Sequence, residues 1–421
     1  MDFRRTNGLF NKYVSSDFVQ KVIQTLATKI LLMGIGLITT VMIARILGPE
    51  GRGLYAVAVA VGAMGAQFGN LGLHASNTYY AAKNKTILPA LVGNSLFVSF
   101  VVGSFIAALV WTFFYFFPQI APVKGILLAL ALGYIPFSLG YLLLNNLLLG
   151  IGEITSFNAI EIANRTLVVI LLFVIIYMNF IRVEVVFFIS FFGILCGLIL
   201  SYIKLKPQFG KKINICLDNF KTSIIYGGKA YFAALFVFLI SQTNLLIVQY
   251  TSGPADTGYY SIALMMANLL YTVPVSIGMI LFPRLSAIDD EIEKWQKAKK
   301  VAIYTGLLMC GLSLIAWIFA KPAILILFGH EFLPSLPAFL WLLPGYIIYS
   351  VNTILNNYFA SKGMPMVVVY SSFCGLIVGI ISALFLLEIF DKYYYVSISF
   401  IFVSVTMIIF SILEIQKKRK V

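Results

Sequence analysis

Lys29, Glu161, Arg165 and Lys229 stand inside long apolar runs or within about two turns of their ends. A charge at the centre of a membrane helix costs about 2.5–3.5 kcal/mol on insertion scales, so such a side chain usually faces a wet cavity or a partner. Three of these charges are cations, and cations sharing a cavity would hold an anionic headgroup. Blander readings fit the same residues. Arg165 follows Glu161 by four positions, the spacing of an ion pair on one helix face. Lys29 and Lys229 sit near enough to the ends of their runs to snorkel to the interface. His74 with Asn77, and Gln242 with Asn244, add polar groups at mid-run depth, and together with Glu161 they are candidates to line the same cavity. A lone histidine serves either as a packing residue or as a proton relay. The chain contains no Walker A, H-E-x-x-H or G-x-S-x-G sequence and no acidic pair suited to sugar chemistry. The expectation is therefore no catalytic residue, no metal and no cofactor; the sequence does not identify a coupling ion, H+ or Na+.

The elements that must position these residues are helices. The chain is 61% hydrophobic and 11% charged, against about 45–50% and about 25% in soluble domains. Apolar runs of about 20 residues recur along it, each long enough to cross a bilayer, and they are continuous rather than alternating, which excludes a β-barrel. The reading is an all-α polytopic membrane protein with about 12 transmembrane helices. The first span covers 22–44, the second 54–81, the fifth 156–178 and the seventh 225–250. The longest polar connections, 205–224 and 283–299, leave no room for a soluble domain. Cys196, Cys216, Cys310 and Cys374 lack C-x-x-C spacing and read as spectator thiols. Met1 to Asp17 lacks the layout of a cleaved signal peptide, so the first span is expected to be retained. With both termini on one side, that side collects 21 Lys and Arg and the other six, which makes both termini cytoplasmic. The net charge of +14 is then an orientation and lipid-headgroup signal, and calls for no nucleic acid.

The second half repeats the first. Gly48, Pro49, Gly53 and Tyr55 return as Gly253, Pro254, Gly258 and Tyr260 in the same G-P-x-x-x-G-x-Y spacing. Gly133-Tyr134-Ile135 with Ser138 answers to Gly345-Tyr346-Ile347 with Ser350, and Leu144-Asn145-Asn146 to Leu355-Asn356-Asn357. Two parallel six-helix lobes, 1–205 and 206–421, are expected, because an even number of spans per copy preserves orientation. The proline and glycines of the motif read as a helical-hairpin turn at the outer end of each lobe. Arg45 and Arg284 read as helix-end anchors, and the small-residue pairs Gly65/Gly69, Gly193/Gly197 and Gly375/Gly379 as packing faces.

Residues 44–55, with the pattern A-R-x-L-G-P-x-x-x-G-x-Y, resemble the first hairpin of polysaccharide-repeat flippases, in the multidrug/oligosaccharidyl-lipid/polysaccharide exporter superfamily. Gly69-Asn70-Leu71-Gly72-Leu73, Tyr79-Tyr80-Ala81-Ala82-Lys83, Phe282-Pro283-Arg284-Leu285-Ser286 and Phe328-Gly329-His330-Glu331-Phe332 are similar to later segments of that family. The resemblance implies a flippase in the bacterial cytoplasmic (inner) membrane. It would move an undecaprenyl-diphosphate-linked oligosaccharide to the outer leaflet for O-antigen, lipopolysaccharide or capsule-type assembly. A polysaccharide polymerase and chain-length proteins are implied as partners, and a cationic cavity at Lys29, Arg165 and Lys229 as the substrate site. The competing expectations are a cation-coupled multidrug exporter of the same superfamily, which would need cavity carboxylates, and a non-transport scaffold, for which the loops are short.

Overall fold

A computed structural model describes the backbone of residues 16–209, 213–390 and 392–419. Side chains are described over the same stretches except 16–27, 209, 229–230, 365 and 418–419. No strand occurs among the described residues. The helices are α1 (Ser16–Asn70), α2 (Leu73–Lys83), α3 (Leu88–Phe97), α4 (Gly103–Phe116), α5 (Gly125–Gly150), α6 (Ile154–Tyr177) and α7 (Val183–Phe209) in the first half. In the second half they are α8 (Leu217–Ser252), α9 (Pro254–Ser286), α10 (Glu291–Leu327), α11 (Ser335–Ser361), α12 (Pro365–Leu387) and α13 (Tyr395–Arg419). A π turn, Val98–Val102, joins α3 to α4.

Among the described residues, eleven stretches are long and apolar enough to cross a membrane. The first, Thr28–Asn70, has 43 residues, roughly twice what a bilayer needs. It folds at Gly48 (φ 65°, ψ −177°), so the chain crosses twice there and twelve spans result. Gly253 (φ 88°, ψ −178°) turns α8 into α9 in the same way, with Pro254 at the first helical position. Both turns need φ values that side chains with a Cβ avoid, and proline at N1 loses no hydrogen bond. The protein is thus a multi-pass membrane protein built as two helical bundles.

Two polar connections are shorter than the sequence indicates. α7 extends to Phe209 and α8 begins at Leu217, within the stretch 205–224. α10 starts at Glu291, within 283–299, because Asp290 caps it by accepting from the Ile292 amide at 2.9 Å. The second span also departs from expectation. It breaks at Leu71 (φ 50°) and Gly72 (φ 81°), and α2 restarts beyond. The small-residue pairs do pack as expected: Gly65 and Gly69 admit Ile135 and Leu139, Gly197 admits Tyr141, and Gly375 admits Met407.

The two repeated turns meet each other. Any Cβ on Gly53 would overlap the Pro254 carbonyl, and any Cβ on Gly258 would overlap the Pro49 carbonyl. This reciprocal contact ties the lysine-poor ends of the bundles together. Around it, Arg45 crosses between bundles to donate to the Leu327 and Ile326 carbonyls at 2.7 and 2.6 Å, capping the end of α10. Arg52 donates to Ser261 Oγ at 3.2 Å, and Tyr250 donates to the Ile120 carbonyl at 2.7 Å. Ala44 packs with Ile262, Ile324, Phe328 and Phe332 in a buried cluster shared by both bundles.

Along one flank the bundles also touch further from this end. Gly72 lies against the Gly227 backbone, and Tyr231 donates to the Gln67 and Phe68 carbonyls at 3.2 Å. Tyr79 stacks on Tyr226 with ring centroids 4.3 Å apart. The opposite flank, between the first limb of α1 and α9, is where a cavity remains.

Gly53→Ala is expected to force the lysine-poor ends apart. In a protein lacking its native cysteines and carrying Thr257→Cys, the buried thiol should react several-fold faster with a small thiol reagent once Gly53→Ala is added. An unchanged rate would show that the turn contact does not hold this end shut.

Candidate functional site

The first limb of α1 and helix α9 form the walls of a cavity of about 520 Å³ between the bundles. From α1 come Lys29, Leu32 and Met33, from α6 comes Arg165, and from α9 come Asn268, Tyr271, Thr272, Ser276 and Met279. Among the described residues, the lining carries two cations and no carboxylate. Lys29 is exposed, and its Nζ lies 3.2 Å from Met279 Sδ, a weak acceptor that leaves the ammonium nearly unused. Beside the opening, Ile30 and Leu31 on α1 and Met279 and Ile280 on α9 are exposed apolar side chains.

Arg165 forms the boundary between this cavity and a second one of about 470 Å³ inside the first bundle, which it also lines. Its Nη1 donates to the Leu32 carbonyl at 3.3 Å, and its Nε is 3.8 Å from Glu161 Oε2. Gly36 makes this position available: a Cβ there would come within 2.9 Å of the guanidinium. A guanidinium has five N–H donors, and these contacts leave others free. Glu161 is held from its other side by Tyr141, whose hydroxyl donates at 2.8 Å. The rest of the second cavity's wall mixes the hydroxyls of Tyr55, Tyr134, Thr39, Thr40 and Ser190 with apolar Val59, Val168, Phe187 and Ile194.

The sequence-derived candidates divide accordingly. Lys29 and Arg165 share the inter-bundle cavity, and Glu161 lines the intra-bundle one. The Lys229 side chain lies outside the described residues. The remaining four line neither cavity. His74 sits in the first turn of α2, where its Nδ1 is 2.7 Å from Asn70 Nδ2 and its amide donates to Asn70 Oδ1. Asn77 is buried and donates to Ser95 Oγ at 2.8 Å, so it ties α2 to α3. Gln242 reaches only its neighbour Ser241, at 3.4 Å. Asn244 is buried against α12 and bonds the Tyr260 hydroxyl. Polar groups at mid-membrane depth satisfy one another here, because nothing else in lipid can. Asn268, Tyr271 and Thr272 escaped sequence reasoning because neutral polar residues on an apolar helix are common. Their cue was the 3–4 residue spacing of Asn268, Tyr271, Thr272, Val275, Ser276 and Met279 along one face of α9.

A family model described as "Polysaccharide biosynthesis protein" matches residues 18–289. No curated protein matches the chain in sequence. Among solved structures, a multidrug resistance MATE family transporter of the MOP superfamily in its inward-facing conformation is similar, with TM-score 0.76, 13% identity, and 92% of this chain and 95% of that chain covered. An outward-facing conformation of a multidrug resistance MATE family transporter of the MOP superfamily gives TM-score 0.58 at 14% identity, with 93% of this chain and 98% of that chain covered. The lipid II flippase MurJ, in an inward closed conformation, gives TM-score 0.67 at 14% identity, with 94% and 87% covered. The fold is that of these two-lobe proteins.

The Glu161–Arg165 pair is partly exposed, with side chains 24% and 45% accessible, and such pairs stabilise by about 1 kcal/mol or less. Glu161→Gln should therefore move the melting temperature in detergent by no more than about 2 °C. A fall of several times that size would mean the pair is a structural element rather than a cavity wall.

Proposed function

The chain belongs to the polysaccharide biosynthesis protein family, and from that premise we propose that it is a flippase for a polyprenyl-diphosphate-linked oligosaccharide. The carrying observation is the inter-bundle cavity, lined by Lys29 and Arg165 with no opposing acid and bordered by exposed apolar side chains of α1 and α9. An amphiphile matches it. The diphosphate would sit between the two cations, where charge-assisted hydrogen bonds are strongest, while the prenyl chain stays in lipid along Ile30, Leu31 and Ile280. The oligosaccharide would travel within the cavity.

The closed lysine-poor end fits a cytoplasm-facing resting state, with the orientation taken from the lysine bias. Transport would proceed by rocking residues 1–205 against 206–421, breaking the Gly53–Pro254 and Gly258–Pro49 contacts and closing the cavity at the lysine-rich end. The diphosphate brings its own charge to neutralise the cations, so the loaded cavity can close at lower electrostatic cost than the empty one. This cycle contains no bond-making step and hence no enzyme chemistry. O-antigen, capsule-type and related glycan assembly in a bacterial inner membrane is the setting this reading implies, with a polymerase and chain-length proteins acting downstream.

A cation-coupled multidrug exporter would share the fold but fits the cavity lining less well. It would need carboxylates facing the cation, and the one carboxylate near the cavities, Glu161, already has Arg165 beside it.

In proteoliposomes, the wild-type protein should translocate an undecaprenyl-diphosphate-linked oligosaccharide, and Lys29→Ala with Arg165→Ala should slow it at least about tenfold, the loss of roughly one charge-assisted hydrogen bond. Unchanged translocation by the double variant would defeat the cationic-cavity reading. Lowered accumulation of a cationic dye in cells carrying the wild-type protein, without glycan export, would favour the exporter.

A further inference from the structure

We infer that the cavity inside the first bundle is a saccharide subsite, which receives the sugars nearest the diphosphate. The inference rests on the flippase reading and adds a location and a chemistry to it.

The cavity holds about 470 Å³, within the roughly 300–1,000 Å³ of small-molecule pockets. It adjoins the inter-bundle cavity through Arg165, which lines both. A group attached directly to a diphosphate at Arg165 is therefore at its threshold.

The lining suits a neutral polyol better than an ion. Glu161 and Arg165 are its charged groups and oppose each other at 3.8 Å. A cation would meet the guanidinium, and an anion would meet the carboxylate. A polyol gains from both, since the carboxylate accepts from sugar hydroxyls and the guanidinium donates to them. Asn164 adds a group that can do either. Tyr134 contributes a hydroxyl with no hydrogen-bond partner among the described residues, while its ring lies tilted against Phe187 at 5.9 Å and edge-on to Phe191 at 6.0 Å. Tyr55 and Ser190, paired at 2.9 Å, supply a further hydroxyl couple. Apolar ring faces with a few fixed polar groups are what a sugar, with its C–H face and hydroxyl rim, can use.

The duplication supplies an independent contrast. The counterpart of Tyr134 is Tyr346, and there the hydroxyl is taken up. Tyr346 donates to Asn268 at 2.8 Å and lies 5.0 Å from the Phe400 ring and 5.6 Å from the Tyr271 ring. Since α6 and α12 begin 211 residues apart, at Ile154 and Pro365, Glu161 and Arg165 correspond to Ser372 and Leu376. The second bundle thus keeps the turn and the packing but replaces both charged groups with a buried serine and a packed leucine. Packing of the fold alone did not require the charged, hydroxyl-lined space in the first.

The test uses the full chain in nanodiscs with two probes, undecaprenyl diphosphate and the same lipid carrying one N-acetylhexosamine. Tyr134→Phe combined with Ser190→Ala should weaken the glycosylated probe about tenfold and the unglycosylated probe by less than about twofold. With the native cysteines removed, a thiol at Ser190→Cys should be protected from modification by the glycosylated probe and not by undecaprenyl diphosphate. Equal loss for both probes, or no loss and no protection where the parent protein binds the glycosylated probe, overturns the subsite and leaves the flippase reading standing. A parent protein that binds neither probe overturns the flippase reading and the subsite with it.

Discussion

Two backbone contacts between the halves organise the molecule. Gly53 presses on the Pro254 carbonyl and Gly258 on the Pro49 carbonyl. Helices meet at backbone distance only where no Cβ intervenes, so this geometry exists because both members of a repeated motif carry glycine at the same place. Once those ends touch, the bundles can separate only elsewhere. The Gly72–Gly227 approach and the Tyr79–Tyr226 stack close one flank as well. The remaining gap lies between α1 and α9, and the cavity with Lys29 and Arg165 is in it. The prolines do two jobs in this contact, ending one helix without losing a donor and presenting a carbonyl to the opposite glycine.

Charge inside lipid is costly, and this chain concentrates it where water or substrate can reach. Arg165 is a wall of both cavities, and the missing side chain at Gly36 gives it room. Its pair with Glu161 is loose enough to leave donors free, so the cation is stabilised without being fully committed. Lys29 has a thioether as its nearest partner. An anionic ligand would find both groups under-satisfied, and this is the physical content of the transport proposal. The sealing network at the other end shows the opposite pattern: Arg45 spends two donors on the carbonyls of α10. The sequence placed Arg45 as a helix-end anchor; in the structure the helix it anchors belongs to the other bundle.

Much of the architecture was legible before any coordinate. Span number follows from run length, because a bilayer sets one length scale, and the apparent exception at 28–70 is resolved by Gly48-Pro49, a turn signature visible in the sequence. The cavity candidates were less legible. Asn77, Asn244 and His74 are as polar and as deep as the residues that line the cavities, yet each is taken up by a neighbour: Ser95, Tyr260 and Asn70. Depth along a helix is a one-dimensional property. The direction a side chain faces depends on which helix lies beside it. The polar connections 205–224 and 283–299 are partly helical; polar composition does not distinguish a solvated helix from a coil, whereas the Asp290 cap does.

The sequence by itself determined the class, the number of crossings, the parallel duplication and the pairing of Gly48-Pro49 with Gly253-Pro254, since hydropathy, turn chemistry and repeat spacing are all linear quantities. Tertiary structure decided that the two copies of the motif touch and that Arg165 divides two cavities. The physical reason is that both outcomes depend on helices distant in sequence approaching to within a side chain's length. A one-residue change from Cβ to hydrogen at Gly53 or Gly258 controls that approach, and its consequence is visible only when the carbonyl it admits, more than 200 positions away, is in place.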